Sequence, residues 1–470
     1  MRLSCLGCLN ENDLTDSRLF FSFCPPQLLD DLRRRFGRGS QGKERVAFAV
    51  FVGSLVSHAL SATGSLGHHL RTMSRTKISD ASAQERRTGL SWNWFCELFK
   101  HILVPLARPD THPESFYESL RLLGIDGTQW SLRNTRELDS QGFARSTNGN
   151  GAKGAFCKWV ATVLLELGTH HPLYASCSQP QVSPSEGETT LAHRTLEGLP
   201  QDEDTLLLAD RLYGCPTFIT AVQQAASGRC HLLVRVKSNY KGKVLEHLPD
   251  GSVIIEVNSR DQRGKGGIKL RLREIRGKVK RLPKAGGEEA ANETAGTELR
   301  LWTTLLDAGK YKAQDLLELY AQRWEQELFF HELKRHTGRE NLLRSGTVQG
   351  VQAEFGAMLI AASMLARQRL AAGEAVGLSP LRISLTKMSR GLEAILPVLE
   401  VAGDLISDQQ RQQMIERFME HTAQEAVIPK RRSRGSQRGL RKPVCAWPRI
   451  RTRQYTEGES VVEIIVIPFP

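Results

Sequence analysis

The sequence of 470 residues is longer than one ordinary domain, and a prior of about 150 residues per domain predicts roughly three. Its hydrophobic fraction of 40% is ample for a core and excludes a chain that is disordered over most of its length. The 64 Lys and Arg residues exceed the 51 Asp and Glu residues, and the net charge of +13 favours a polyanionic partner, either nucleic acid or an anionic membrane surface.

The first 115 residues predict a helical region. Apolar spacing and capping residues indicate helices over Gln27–Phe36, Glu44–Leu60, Ala83–Arg87 and Trp92–Leu103. Short helices with Arg and Lys between them can dock in a DNA groove. An ordinary helical packing domain explains the same pattern equally well, so this segment alone does not decide between the two.

From about residue 120 the pattern changes to short apolar runs bounded by Gly, Pro and polar residues, which is typical of strands. These runs are Leu122–Asp126, Lys158–Glu166, Leu173–Cys177, Thr205–Asp210 and His231–Lys237, followed by the alternating stretches Val253–Val257 and Ile268–Glu274. A helix is predicted over Gly187–Leu199, between the third run and the fourth. This order of elements predicts an α/β layered core.

The remaining chain predicts a loop, three helices and a tail. Gly277–Thr297 has little apolar content and predicts a loop. Helices are predicted from about Ala313 to His336, over Val348–Ala371 and over Ile383–Leu399. Pro429–Arg453 is crowded with Lys and Arg, as expected either of a segment that grips phosphates or of a solvated end, and Val461–Ile467 has strand character or forms an extended tail.

Two features bear on the setting of the protein. Nine Cys residues, an odd number scattered over a long chain, argue against a disulfide framework. The longest apolar run, Val46–Val56, is about half of the roughly 18 to 20 residues that span a bilayer. The sequence therefore predicts an intracellular protein with no membrane partner.

The stretch LYAQRWEQELFFHELK, Leu319–Lys334, carries the strongest chemical signal. At about 100° per residue, four polar residues share one narrow helix face, and two acids, Glu325 and Glu332, point away from it. The four are Tyr320, Arg323, Glu327 and Lys334. A surface helix with i,i+4 ion pairs is the alternative, but the apolar residues in the same stretch indicate a largely buried helix whose polar face lines a cleft.

Two aspartates complete a set of acids with Glu327. Asp126 ends the run LLGID and Asp210 ends the run TLLLAD, where side chains face the ligand crevice of α/β sheets. Either residue alone is more often a turn former or a helix cap. Together with Glu327 they supply hard oxygen ligands for Mg²⁺ or Mn²⁺, and two such ions about 4 Å apart can drive in-line phosphoryl transfer.

These residues resemble a known family. The spacing Tyr, two residues, Arg, three residues, Glu, six residues, Lys marks a branch of the DDE transposases, insertion-sequence family four, and Tyr320, Arg323, Glu327 and Lys334 match it without a gap. The first two aspartates of the family correspond to Asp126 in IDGT and Asp210 in ADRLYG. The resemblance covers roughly residues 20 to 425.

The resemblance implies an α/β fold: a ribonuclease-H-like catalytic core with a β-rich insertion, flanked by helical N- and C-terminal regions. The implied segments are a helical DNA-binding region (1–115), the first part of the core (116–237), the insertion (238–300), the second part of the core with the Glu-bearing helix (301–345), a helical C-terminal region (346–428) and a basic tail (429–470).

The resemblance also implies roles for individual residues. Asp126, Asp210 and Glu327 would be catalytic and would bind two Mg²⁺ or Mn²⁺ ions. The residues matching the rest of the signature, Tyr320, Arg323 and Lys334, would contact DNA phosphates near the cut end. Trp302 is a candidate to stack on a flipped base, with a core Trp in the strand Leu299–Leu306 as the alternative.

The implied function is cut-and-paste transposition of an insertion sequence. The partners would be double-stranded DNA, as terminal inverted repeats and as target, and a second copy of the chain in a homodimeric synaptic complex. Related enzymes form a hairpin at the cut end. The protein would act in the cytoplasm, associated with the nucleoid. Two alternatives stay open: a host nuclease or recombinase of the same fold, and an inactive or domesticated DNA-binding remnant.

Overall fold

The computed structural model describes residues 20–21, 23–36, 46–60, 64–74, 76–147, 153–179, 186–260, 266–281, 297–336, 341–391, 405–428, 462–466 and 469. The chain divides into two compact units. The first comprises residues up to Asp210, Ala221–His231 and Gln322–Val427. The second comprises Arg211–Thr220, Leu232–Ala321 and the residues from Ile428 onward.

Among the described residues, five helices with assigned bounds precede the first strand of the first unit. They are α1 (Pro26–Phe36), α2 (Phe48–Leu60), α3 (Leu66–Ser74), α4 (Asp80–Thr88) and α5 (Trp92–Ile102). Ser79 and Ser91 cap α4 and α5 by accepting hydrogen bonds from backbone N–H groups in the first helical turn. The four helices predicted here are confirmed, except that the second begins at Phe48; residues 44–45 of that prediction lie outside the described residues. The apolar pattern did not predict α3, which is short and carries two adjacent His residues among its few apolar ones.

The other elements follow in chain order. The strands are β1 (Phe116–Tyr117), β2 (Leu120–Ser131), β3 (Arg145–Thr147), β4 (Lys153–Glu166), β5 (His171–Cys177), β6 (Thr205–Ala209), β7 (Cys230–Arg235), β8 (Lys243–His247), β9 (Val253–Arg260), β10 (Gly266–Arg281), β11 (Thr297–Thr303) and β12 (Val462–Val466). The helices are α6 (Arg136–Ser140), α7 (Glu188–Thr195), α8 (Pro216–Gln224), α9 (Ala313–Leu319), α10 (Trp324–His336), α11 (Val348–Val376) and α12 (Asp408–Ala426).

The sheet of the first unit is built on β2. β4 pairs with β2 antiparallel, β5 pairs with β4 antiparallel, and β6 pairs with β2 parallel. The β6 strand is buried along its whole length, as is the first half of β2, which is expected of central strands covered on both faces. Three antiparallel strands followed by a parallel one form the ribonuclease-H-like arrangement, so the predicted fold class is confirmed.

The second unit contains an antiparallel sheet in the order β7, β11, β10, β9, β8. This confirms a β-rich insertion between Asp210 and Glu327. The predicted loop over Gly277–Thr297 is wrong at its start, because β10 continues through residue 281 by pairing with β12. Residues 282–296 and the basic stretch Lys430–Arg453 lie outside the described residues. The strand predicted over Val461–Ile467 is confirmed as β12.

One prediction about the helices needs correction. The single helix expected from Ala313 to His336 is instead α9 and α10, joined by a 3₁₀ turn over Tyr320–Arg323. A 3₁₀ turn rotates by about 120° per residue instead of 100°, so Tyr320 leaves the face on which regular helical spacing had placed it. The face shared by Arg323, Glu327 and Lys334 lies on α10 and the residue before it.

The helix α11 fills the core of the first unit. Thr347 caps its start, and it ends at Gly377, whose φ of +66° is a left-handed conformation that glycine adopts without strain. By length and composition α11 is apolar enough to cross a membrane, although the sequence predicted no membrane-spanning segment. Of its most apolar window, 83% is buried inside the protein. Of the helix predicted over Ile383–Leu399, residues 385–391 are helical and residues 392–399 lie outside the described residues.

Candidate active site

Asp126 and Asp210 lie side by side. The parallel pairing of β2 with β6 ends at Ile125 and Ala209, so each aspartate is the next residue on its chain segment. Adjoining strands are about 4.8 Å apart. Asp126 was predicted at the end of a strand, whereas β2 continues to Ser131, and it is β6 that ends there. The two predicted acids therefore meet at the carboxyl end of β6.

The Asp126 carboxyl group lies in an electrostatically unfavourable place for a negative charge. Its side chain is 17% exposed and accepts a hydrogen bond of 2.9 Å from the backbone N–H of Gly127. Burial, together with the nearby carboxylates of Glu188 and Asp210, raises the pKa of Asp126 to about 7, although the Gly127 N–H and the Arg323 guanidinium act in the opposite direction. The Asp126 carboxyl group therefore holds its proton more tightly than an ordinary aspartate does.

Arg323 connects Asp126 with Glu327. Its Nη2 donates to Glu327 Oε1 at 2.9 Å, and its Nη1 lies 3.6 Å from Asp126 Oδ2. Arg323 and Glu327 are four residues apart, the spacing at which side chains meet on a helix surface. The structure therefore brings together three of the predicted site residues through direct side-chain contacts, with the arginine between two acids.

Gln326 fixes the helix that carries Glu327 against the sheet. Its fully buried side chain donates from Nε2 to the carbonyl oxygen of Val163 at 3.2 Å, and Val163 is the β4 partner of Asp126. The helix approaches β2 at Gly124, where an added Cβ would lie 2.6 Å from Gln326 Oε1. The absence of a side chain at this glycine is what permits the close approach.

Lys334 lies two turns along α10 from Glu327. Its Nζ donates to the carbonyl oxygen of Gln129 at 2.9 Å and lies 4.9 Å from the centroid of the Trp130 ring. Burial, with a further contribution from the positive charge of Lys158, lowers the pKa of Lys334 to about 8. The structure thus holds Lys334, a predicted DNA-binding residue, beside β2. A bound anion would stabilise the charged form of its side chain there.

The other two predicted DNA contacts lie in the second unit. Tyr320 begins the 3₁₀ turn and its side chain is buried. Trp302 is fully buried in β11, and its indole N–H donates to Glu274 Oε2 at 2.8 Å. The Trp302 ring has no exposed face in this conformation, as the alternative of a core tryptophan predicts, and its stacking on a flipped base stays a prediction.

Glu188, the first residue of α7, is a neighbour of Asp126 that the sequence analysis missed. Its carboxyl group packs over Gly127, where an added Cβ would lie 2.2 Å from Glu188 Cδ. An acid in the first turn of a helix is an ordinary feature that favours the helix dipole, so the sequence carried no signal of this proximity. The packing of α7 on the sheet thus places a further carboxylate beside Asp126.

The donor groups at this site fit a hard divalent cation, because carboxylate oxygens are the ligands that Mg²⁺ and Mn²⁺ take. Burial is the largest cause of the raised pKa of Asp126, and repulsion from Glu188 and Asp210 adds to it; a bound cation would offset both effects. Within the described residues, however, no three His, Cys, Asp or Glu side chains are grouped closely enough to hold a metal ion. The conformation described here is that of an arginine-bridged pair of acids.

Comparison with known proteins identifies the family. The sequence model described as "Transposase DDE domain" matches residues 118–364, more than half of the chain, and this range includes Asp126, Asp210 and Glu327. The chain belongs to the DDE transposase family. Dependence on a divalent metal ion comes with membership of this family.

Two relatives are similar to this DDE transposase. The transposase InsG for insertion sequence element IS4, from Escherichia coli (strain K12), is 26% identical over 298 residues. This match spans 62% of this chain and 62% of the relative. A solved piggyBac transposase synaptic complex with hairpin DNA is similar over 91% of this chain and 89% of that one, at 10% identity and a TM-score of 0.42.

Proposed function

We propose that this protein is a DNA transposase that catalyses metal-dependent strand cleavage and strand transfer of an insertion sequence, acting on its terminal inverted repeats. The observation that carries the proposal is the adjacency of Asp126 and Asp210 at the end of the β2–β6 pairing, with Arg323 joining Asp126 to Glu327. In metal-dependent phosphoryl transfer on DNA, grouped acids hold the metal ions, and no nucleophilic side chain is required.

The proposed catalytic and metal-binding residues are Asp126, Asp210 and Glu327, and the proposed cofactor is a pair of Mg²⁺ or Mn²⁺ ions. Such a pair, when bound, activates an attacking oxygen and stabilises a leaving one. The chain's own part is to carry the acids on a buried sheet and one anchored helix. Arg323 offsets part of the charge of Asp126 and Glu327, and an incoming phosphate offers the same guanidinium a further anionic partner.

The DNA-binding part of the proposal involves Arg323, Lys334 and Tyr320, which would contact phosphates near the cut end. Lys334 is a buried cation whose pKa is lowered, and a phosphate beside it would offset the cost of its burial. The net charge of +13 supports a polyanionic partner. Within the proposal, the partners are inverted-repeat ends and target DNA, the protein works as a homodimer on paired ends, and it acts in the nucleoid region of the cytoplasm.

The test is a cleavage assay on DNA that carries the inverted repeats flanking the coding region of this element. We expect Mg²⁺-dependent nicking at the repeat ends by the wild-type protein and no nicking by Asp210→Asn. The matched control is Asp202→Asn, which changes an exposed acid in the same unit and should cut as the wild type does. Equal loss in both variants would contradict a specific role for Asp210.

The same assay separates the two alternatives. A host nuclease or recombinase of this fold would cut DNA with and without the repeats at similar rates. A DNA-binding remnant would bind the ends without nicking them at any concentration of Mg²⁺ or Mn²⁺. Either result would replace the proposal.

A further inference from the structure

The face of α10 that points away from Glu327 is fixed by one histidine. Glu325 and Glu332, the two acids predicted to point away from the site, both contact His170. Its Nε2 lies 2.8 Å from Glu325 Oε2 and its Nδ1 lies 2.7 Å from Glu332 Oε2. His170 lies in the turn between β4 and β5, its ring is buried, and its φ of +55° is a left-handed conformation that residues other than glycine rarely adopt.

The geometry requires a charged imidazole. A neutral ring has one N–H donor, whereas both nitrogens of His170 face carboxylate oxygens. Only the imidazolium donates to both acids at once. Burial by itself would lower the pKa of His170, but Glu332 and Glu325 more than offset that effect, so its pKa lies above the usual value of 6.5 even with the opposing charge of Arg369 nearby.

Arg369 of α11 completes the cluster. Its side chain is 1% exposed, its Nη1 lies 3.2 Å from Glu332 Oε2, and its Nε donates to the carbonyl oxygen of Ile383 at 2.9 Å. The same Nη1 lies 3.4 Å from His170 Nδ1. Among the described residues, the charged groups that face His170 are therefore Glu325, Glu332 and Arg369. Two acids and two cations balance, and they join the β4–β5 turn, α10 and α11.

The cluster around His170 can affect the reaction because it holds α10, the helix that carries Glu327, in place. Glu327 lies two residues after Glu325 and five before Glu332, so at about 100° per residue it projects from the opposite side of the same two turns. A rotation or shift of α10 that relaxed the His170 contacts would move Glu327 relative to Asp126. Misplacement of a reacting group by about 1 Å can cost on the order of a hundredfold in rate.

We propose that His170 is a positioning residue for strand cleavage, whose imidazolium binds Glu325 and Glu332 on one side of α10 and thereby holds Glu327 toward Asp126 on the other. The inference rests on the proposed function. The side-chain partners of His170 are Glu325, Glu332 and Arg369 and not the three acids of the site, so it acts through the helix.

The test compares His170→Gln with a matched control, His171→Gln. His171 is the adjacent buried histidine, and its Nδ1 lies 3.3 Å from the Ser363 hydroxyl, away from both acids of α10. Single-turnover cleavage, affinity for an inverted-repeat end and thermal unfolding are measured for the wild type and both variants. We expect His170→Gln to slow cleavage by at least about tenfold per folded molecule, with end affinity unchanged, while His171→Gln lowers thermal stability and leaves the cleavage rate intact.

The pH dependence of the cleavage rate provides a second test. If His170 had a purely structural role, its substitution would not change this pH dependence. The wild-type cleavage rate should fall as pH rises through the pKa of folded His170, because the neutral ring loses one of its two acids. This decline should be missing from His170→Gln. If that variant fails to fold, Glu325→Gln, which leaves the Glu332–Arg369 pair in place, should slow cleavage and remove the decline in the same way.

Two results would overturn the inference. One is cleavage by His170→Gln at the wild-type rate per folded molecule. The other is a parallel loss of stability, end affinity and cleavage in both histidine variants, which would assign His170 to the fold alone. Failure of the wild-type protein to nick its ends under any metal condition would instead overturn the proposed function, and this inference with it.

Discussion

The guanidinium of Arg323 lies 3.6 Å from the carboxylate of Asp126, while its other nitrogen binds Glu327 at 2.9 Å. One side-chain cation thus offsets part of the negative charge that the fold concentrates at the end of the β2–β6 pairing. A divalent ion at the same acids would compete with this arginine, and a DNA phosphate would attract it. Within the proposed function, Arg323 would therefore exchange one negatively charged partner for another when metal and DNA bind.

The three acids should be needed for chemistry and not for recognition. We expect Asp126→Asn, Asp210→Asn and Glu327→Gln each to abolish strand cleavage, because each removes a charged oxygen donor while keeping the shape of the side chain. End binding should stay nearly intact, since it depends on basic residues. Cleavage and band-shift assays on the same end fragment check both points. Retained cleavage in all three variants would contradict the proposed mechanism.

Arg323 and Lys334, the two cations on the same side as Glu327, should instead be needed for binding of DNA ends. Arg323→Ala or Lys334→Ala should weaken complexes with inverted-repeat ends by roughly 1.5 to 3 kcal/mol, the scale of a hydrogen bond to a charged group. Titration of each variant with an end fragment at fixed salt measures the change. The matched control is Arg335→Ala, which removes an exposed cation next to Lys334 on the same helix. Unchanged end affinity in the first two variants would count against phosphate contacts.

The raised pKa of Asp126 predicts a stability that depends on pH. With a folded pKa of about 7 against an ordinary 3.8, the folded protein binds this proton more tightly than the unfolded chain does. The free energy of unfolding should therefore fall as pH rises from about 4 to about 7. Asp126→Asn lacks this decline. In chelator at pH 8 it should exceed the wild type by up to roughly 4 kcal/mol, because the pKa shift is about three units and each unit is worth about 1.4 kcal/mol.

Urea unfolding at pH 5 and pH 8 measures this difference. Adding Mg²⁺ at pH 8 should stabilise the wild type and leave Asp126→Asn unchanged, since a ligand that binds only the folded state stabilises it. A wild-type stability that is the same at both pH values would contradict the prediction.

The sequence predicted the acids better than their surroundings. Asp126 and Asp210 could be found because each follows an apolar run, and Glu327 because its signature lies within one short stretch. Their adjacency required the parallel register of Ile125 with Ala209, which no local pattern reveals. The 3₁₀ turn at Tyr320 was missed for a similar reason, since its residues fit a helix equally well.

Two contributors to the site were beyond sequence reasoning because their partners are distant along the chain. Glu188 reaches Asp126 only through the way α7 packs on the sheet, and His170 meets Glu325 and Glu332 more than 150 residues later. The amphipathic pattern of α10 did indicate that these two acids point away from Glu327. It could not indicate what they bind, because a single helix carries no information on its tertiary neighbours.

The lowered pKa of Lys334 predicts that binding of DNA ends depends on pH. With a pKa of about 8, this lysine loses its charge between pH 7 and pH 9, and end affinity should fall over that range by up to about tenfold. Lys334→Arg should bind without this decline, because a guanidinium stays charged at these pH values. Anisotropy titrations at constant ionic strength measure it. An identical decline in Lys334→Arg would assign the effect to another group.

Gly124 offers a test of how closely α10 must approach the sheet. A methyl group there would lie 2.6 Å from both Gln326 Oε1 and Leu167 Cδ2, so Gly124→Ala forces the ends of these two side chains to shift, including the one that anchors the Glu327 helix to β4. Overpacking of this kind costs roughly 1 to 3 kcal/mol of stability. Gly187→Ala is the matched control, since nothing lies within 4 Å of its added methyl group. At a temperature where both variants are folded, cleavage should fall strongly in Gly124→Ala and little in Gly187→Ala. Equal rates would mean that Glu327 tolerates displacement of its helix.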